Sequence, residues 1–257
     1  MSRFSNLEFE NNREEFEPSS QMIVKDEAFY LAEAKNAFAL ANFERSLRWF
    51  AKVLEFNPKN AAAWTGQVQA LIELDEFPEA KLWADKALEK FPTEPELLAA
   101  KAVALARSGD FKAALAFSDA AVEEHGDTPY IWLARADVLL ARGEKIAEYC
   151  FAKAIAIAPT DWFVRWFGSR IYFFYEKFSL ALKLIQDALS LNPGSVVIWL
   201  QLGRCQFAIG LVKMAENSFV QAQQLDPQCA EAGIELLKLA KAGFLSRFAG
   251  RVRALFH

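Results

Sequence analysis

Prolines stand 34 residues apart at Pro58 and Pro92, and again at Pro159, Pro193 and Pro227. The 67 places between Pro92 and Pro159 hold two more periods, one of them a residue short, with Gly126 where the intervening proline would fall. A fixed period of this length means a stack of like supersecondary units, each unable to bury its apolar face without a neighbour.

Within each period the same residue types return. A large side chain comes first (Tyr30, Trp64, Leu98, Trp132, Trp199, with Trp162 and Trp166 flanking the fifth). Four places on comes a small or β-branched one: Ala34, Val68, Ala102, Ala136, Ser169 and Gly203, Val68 being the largest. Turn sequences such as Asp75-Glu76-Phe77, Gly109-Asp110-Phe111 and Gly143-Glu144-Lys145 follow, and then a second small residue: Ser46, Ala80, Ala114, Ala147, Ala181 and Ala215. Two small residues facing each other let two antiparallel helices approach closely while the aromatics fill the flanks. The steps Asn57-Pro58, Asn192-Pro193 and Asp226-Pro227 stop a helix, because the residue before proline avoids the α region and proline has no N–H to donate. No stretch reads as a strand.

This pattern resembles the tetratricopeptide repeat, most closely from Trp199-Leu200-Gln201-Leu202-Gly203 through Ala215, Phe219, Ala222 and Pro227. The resemblance implies an all-α fold, a right-handed superhelical solenoid of antiparallel helix pairs. It divides the chain into an acidic, aromatic N-terminal tail (1–26), six units (27–60, 61–94, 95–128, 129–161, 162–195 and 196–229) and C-terminal capping helices (230–257).

Composition narrows the function. The only histidines are His125 and His257, without an evident carboxylate partner, and no phosphate loop, HExxH or GxSxG occurs. The chain is therefore read as a non-enzyme with no cofactor and no metal. A net charge of −4 argues against nucleic acid, which demands a concentrated basic surface. No apolar run reaches a bilayer-spanning length of about 18 residues, and the first residues lack the apolar core of a secretory signal. Cys150, Cys205 and Cys229 are odd in number and form no CxxC or ligand spacing, so the expected location is cytoplasmic.

What remains is binding. In the family that the pattern resembles, the first helix of each unit lines the concave wall, so residues spaced i, i+3, i+7, i+10 on those helices form a groove. That face runs through Ala28, Leu31, Lys35 and Phe38; Ala62, Thr65, Gln69 and Ile72; Glu96, Ala99, Val103 and Ala106; and Tyr130, Leu133, Asp137 and Leu140. It continues through Phe163, Trp166, Arg170 and Phe173; Val197, Leu200, Arg204 and Phe207; and Glu231, Ile234, Lys238 and Lys241. The candidate peptide-binding residues are Tyr130, Leu133, Phe163, Trp166, Arg170, Phe173, Leu200, Arg204, Phe207 and Lys238. Arg170, Arg204 and Lys238 stand one period apart as a cationic ladder among aromatics. Arginine both pairs with carboxylates and stacks on rings, so an acidic segment with aromatics is the expected ligand. The lysine, asparagine and arginine set by which chaperone-binding members of this family hold EEVD-type tails is not matched: Lys35 is followed by Thr65 and Gln69, then by Ala99, Ala100 and Val103.

The function expected is a non-catalytic protein–protein interaction adaptor or scaffold. The alternatives are a self-assembling structural protein and a regulatory subunit of a larger complex. Phe4, Leu7, Phe9 and Phe16 lie among Glu8, Glu10, Glu14, Glu15 and Glu17, which makes the chain's own tail a candidate occupant of the groove, in cis or in trans. The basic stretch 244–257, with Arg247, Arg251 and Arg253, suits an anionic membrane surface or a cap; the cap is favoured.

Overall fold

A computed structural model describes residues 25–124 and 127–241. The N-terminal tail up to Val24, the His125-Gly126 pair and the basic stretch from Ala242 onward, with His257, lie outside the described residues, as do the readings attached to them. Twelve helices are bounded: α1 (Glu27–Ala39), α2 (Phe43–Phe56), α3 (Ala61–Glu73), α4 (Phe77–Leu88), α5 (Pro95–Arg107), α6 (Phe111–Glu123), α7 (Pro129–Ala141), α8 (Ala147–Ile157), α9 (Trp162–Phe174), α10 (Phe178–Leu191), α11 (Val196–Ala208) and α12 (Val212–Leu225). A further helix, α13, occupies 230–241. There is no strand among the described residues, and the fold is an all-α helical-repeat solenoid. The chain forms two compact bodies divided between Ile157 and Ala158, so α1 to α8 belong to the first and α9 to α13 to the second.

Each odd-numbered helix from α1 to α11 packs against the helix that follows it. One turn closes all six hairpins. Ala41, Asp75, Gly109, Gly143, Glu176 and Gly210 all have positive φ, between 56° and 89°. In each turn the next residue's N–H reaches back five places to a helix carbonyl, from Asn42 to Ala37, Glu76 to Leu71, Asp110 to Leu105, Glu144 to Leu139, Lys177 to Tyr172 and Leu211 to Gln206, at 2.8–3.0 Å. This is the Schellman closure, which satisfies a helix's last carbonyls through one left-handed residue. Glycine takes that conformation without strain, while Ala41, Asp75 and Glu176 adopt it at a cost of about 1 kcal/mol. The turn residues are 34 apart except between Gly143 and Glu176, where the gap is 33; the deficit falls on α8, which at 11 residues is the shortest of the twelve bounded helices, and leaves the closure intact.

The small residues lie where the hairpin helices meet. Ala34, Ala80, Ala102, Ala114, Ala136, Ala181 and Ala215 are all inaccessible to solvent. Ser46 Oγ donates to the Ala34 carbonyl at 2.9 Å and Ser169 Oγ to that of Ala181 at 2.8 Å, so these hydroxyls join the two helices of a pair. The indoles of Trp64 and Trp199 donate to the carbonyls of Pro58 and Pro193, six residues back, at 3.0 and 2.8 Å. The recurring aromatic thus latches the proline turn that precedes it. Asn57, Asn192 and Asp226 cap the C-termini of α2, α10 and α12, each immediately before a proline.

A Cβ on Gly203 would lie 2.5 Å from a ring carbon of Phe219, which is wholly buried on α12, whereas a Cβ on Gly233 of α13 meets nothing within 4 Å. Replacing helical glycine by alanine gains about 1 kcal/mol in propensity, and overpacking a core costs about 1–3 kcal/mol. Gly203→Ala should therefore lower the urea midpoint and Gly233→Ala should raise it; a Gly203→Ala chain as stable as the parent would contradict the close packing described here.

Candidate functional site

In the first body, α3, α5 and α7 are successive first helices of their hairpins, and α5 touches both α3 and α7. Their inner faces carry an ion network that the i, i+3, i+7, i+10 pattern reaches only at Asp137. The Arg107 Nη2 donates to Asp137 Oδ2 at 2.6 Å, its Nε contacts the same carboxylate at 3.2 and 3.4 Å, and Nη1 lies 3.8 Å from Glu73 Oε1. The three side chains are 5%, 1% and 3% exposed, respectively. Glu73 and Arg107 occupy equivalent places one period apart, at i+11, one residue beyond the face drawn from sequence. Their signal was present as charges on otherwise apolar, alanine-rich helices.

Tyr130 borders this network. Burial raises its hydroxyl pKa well above the ordinary value, the carboxylates of Glu96, Asp137 and Glu73 raise it further, and Arg107 opposes them. Glu96 in turn accepts from Thr128 Oγ1 at 2.8 Å. Leu133, read as a groove residue, is buried. Thr65 Oγ1, on the inner side of α3, is buried without a hydrogen-bond partner.

The second body holds the other eight candidates. Phe163 is half-buried and stacks on Phe167 with centroids 5.8 Å apart; Phe173 packs on Phe178 at 5.2 Å. Trp166 is buried, with its indole N–H donated to the Val197 carbonyl at 3.2 Å. Leu200 lies in a core cluster with Ala215, Phe219, Ala222, Ala232 and Leu239, and Phe207 packs against that cluster. Leu133, Trp166 and Leu200 therefore correct the groove assignment: they are closed to an incoming chain, because apolar residues on this face also serve helix-to-helix packing.

Arg170 is half-buried with its guanidinium over the Trp166 ring, 5.3 Å from the centroid. The cationic ladder is altered above it. Arg204 contacts Glu231 at 2.8 Å and Glu235 at 3.1 Å, and Lys238 contacts the same Glu235 at 3.2 Å. Two cations and two carboxylates on α11 and α13 thus balance locally. Glu231 lies on the same face as the cations in sequence, and its carboxylate offsets the ladder at Arg204.

The thiols are poorly suited to nucleophilic work. Burial pushes the Cys205 thiol up to about 11, against hydrogen bonds with Ser169 and Gln201 and the charge of Arg204. Burial likewise raises the Cys150 thiol, with Arg135 and Lys153 opposing. No group of three His, Cys, Asp or Glu residues arranged to hold a metal occurs among the described residues. No helix among them is long and apolar enough to cross a membrane.

Two stretches, residues 31–104 and 196–229, match models of the tetratricopeptide repeat, in agreement with the hairpin geometry above. The chain is a tetratricopeptide repeat protein. No curated protein matches it. Among solved structures it is similar to a tetratricopeptide repeat protein from Parabacteroides merdae, at 19% identity over 85% of each chain with a TM-score of 0.53. It is also similar to a thermophilic repeat protein from Thermus thermophilus, at 15% identity over 83% of this chain and 98% of that one, with a TM-score of 0.50. Human IFIT1, in a dimer with m7Gppp-AAAA, is 20% identical over 87% of this chain and 57% of its own, with a TM-score of 0.52. Likenesses at these identities establish the shared fold. Tetratricopeptide repeat proteins are typically non-catalytic and serve as scaffolds for protein contacts.

Two measurements probe this chemistry. Asp137→Ala removes the nearest described carboxylate from the buried Arg107, and losing one partner of a buried pair costs about 3–5 kcal/mol; a denaturation midpoint equal to that of the parent would show the pair to be dispensable. At pH 8 a thiol with a pKa near 11 is only about 0.1% thiolate. A disulfide reagent should thus modify one cysteine of the native tetratricopeptide repeat protein quickly, the half-buried Cys229, and all three in denaturant. Fast release of two equivalents from the native chain would contradict this burial.

Proposed function

We propose that this tetratricopeptide repeat protein is a non-catalytic adaptor whose inner helical faces hold an extended segment of a partner protein, and that the segment is acidic with aromatic side chains. The family supports the general role. The observation that carries the finer reading is Arg170 lying over the Trp166 ring, which packs in turn on Phe163. An apolar helix face has no packing need for a guanidinium, and arginine stacked on an aromatic face is suited to bidentate recognition of a carboxylate.

The charges around Arg204 qualify the mode of binding. A ligand carboxylate approaching Arg204 competes with Glu231, a half-exposed partner of the kind that contributes about 0–1 kcal/mol, and with the largely buried Glu235. Exchange for Glu231 is therefore close to neutral, and Glu235 holds Arg204 in place. Three free cysteines suit a reducing compartment, in keeping with a cytoplasmic adaptor.

Peptide display on the full-length chain tests the reading. Extended peptides rich in Asp, Glu and aromatics should be enriched over basic or neutral ones, and Arg170→Glu should abolish the enrichment while Lys183→Glu, an exposed site on α10, leaves it intact. Enrichment of basic peptides, or enrichment indifferent to Arg170, would overturn it.

A further inference from the structure

Cations lie over aromatic rings in several places of the first body. Arg45 stands over Trp49, Lys101 over Phe117 and Lys153 over Trp132, at 5.9, 4.0 and 3.7 Å from the ring centroids. Each of these cations also meets a carboxylate of the chain: Glu33, Asp85 and Asp127, respectively. One cation on one ring is thus matched by one carboxylate. The α3–α4 hairpin departs from this. Trp64 and Trp83 pack on each other with centroids 5.8 Å apart, and each carries an ammonium, Lys90 at 4.6 Å from the Trp64 centroid and Lys86 at 4.5 Å from that of Trp83. Both lysines are exposed, and neither makes an ion pair with a described carboxylate. Asp85, next to Lys86 in the chain, is engaged by Lys101.

We propose that the α3–α4 hairpin docks a phosphorylated side chain of a partner segment, with Lys86 and Lys90 as the two cations that receive the phosphate. The one-to-one matching at the other three rings carries the choice. Two unmatched ammoniums on touching rings call for a group of about two negative charges, and a phosphate monoester brings about −1.5 to −2 at pH 7 on a single side chain. A pair of carboxylates would need two side chains held in register to do the same.

Placement agrees. Lys86 lies in the last turn of α4, and Lys90 in the turn that prolongs it, where its N–H reaches the Ala87 carbonyl at 3.0 Å. The negative end of the helix dipole favours a cation there. It accounts for the lysines, but not for two ammoniums gathered on adjoining rings. Like charges four residues apart on a helix repel, and a dianion between them relieves the repulsion. The rings hold the ammoniums in place, so less side-chain freedom is lost when the anion arrives. Leu82, one turn before Lys86 on the same side of α4 and 53% exposed, offers an apolar contact to a neighbour of the phosphorylated residue. This site differs in chemistry from the carboxylate recognition assigned to Arg170, and the two stand or fall separately.

The test passes peptide libraries with degenerate flanks over the immobilised full-length chain. One library has phosphoserine, phosphothreonine or phosphotyrosine at its centre, a second the same residues without phosphate, and a third glutamate. The phosphorylated library should be retained about fivefold more than either control. Lys86→Ala/Lys90→Ala should bring retention down to the control level with the urea midpoint unchanged, since both side chains are exposed. Lys86→Arg/Lys90→Arg, which keeps the charge, should retain the library, as should Lys183→Glu. Equal retention of the phosphorylated and glutamate libraries, or retention that survives loss of both lysines, would overturn the proposal. Inorganic phosphate, added at the concentration of the library, separates the two sources of the anion. It should leave the peptides bound, because it lacks their contact with Leu82; release by it would assign the lysines to the free anion and overturn the docking of a segment.

Discussion

Everything in this chain depends on how closely two helices of a hairpin can approach. Alanine, glycine and serine at the crossing points remove the side-chain bulk that would hold the axes apart, and the Ser46 and Ser169 hydroxyls use the proximity to bond directly to the facing backbone. Because small residues contribute little apolar area themselves, about 25 cal/mol per Å² being the usual return, the gain is made by the rings that close around them. Phe219 over Gly203 shows the arrangement at its tightest within a hairpin, and Phe50 over Gly66 repeats it between one hairpin and the next. A crossing so close permits only one hairpin geometry, and the same geometry then recurs along the chain.

Repetition sets the direction of the side chains as well as the fold. Once each hairpin turns through the same left-handed residue, equivalent positions of successive first helices fall beside one another. Arg107 can then meet a carboxylate 30 residues further on, and Arg204 one that is 31 residues on. Long-range electrostatic pairs therefore arise at a separation near the repeat length. They connect neighbouring repeats across the same faces that we propose for recognition, where partner binding would compete with internal cohesion for the same groups.

The architecture was legible because it is written in residue types that have local causes. Proline after Asn57 or Asn192 ends a helix whatever surrounds it, and the one-residue deficit between Gly143 and Glu176 could be counted directly. The candidate site was less legible. Leu133, Trp166 and Leu200 have the spacing of an inner face, but apolar spacing does not separate a residue that lines a surface from one that packs beneath it. Glu73 and Arg107 escaped because a four-position face omits the place one residue further round the helix. Glu231 and Glu235 were in plain view, yet their effect on Arg204 depends on side-chain reach between α11 and α13, which periodicity does not encode.

The central claim is that the inner faces of the leading helices receive an extended chain. Photo-cross-linking of a bound peptide, taken from the acidic aromatic class and carrying a benzophenone in place of one ring, tests it most directly when the adducts are mapped by mass spectrometry. The account predicts adducts on α9 and α11, in the neighbourhood of Phe163, Arg170 and Phe207. Adducts confined to α10 and α12 would contradict it, since recognition would then belong to the second helices of the hairpins and not to the faces described here.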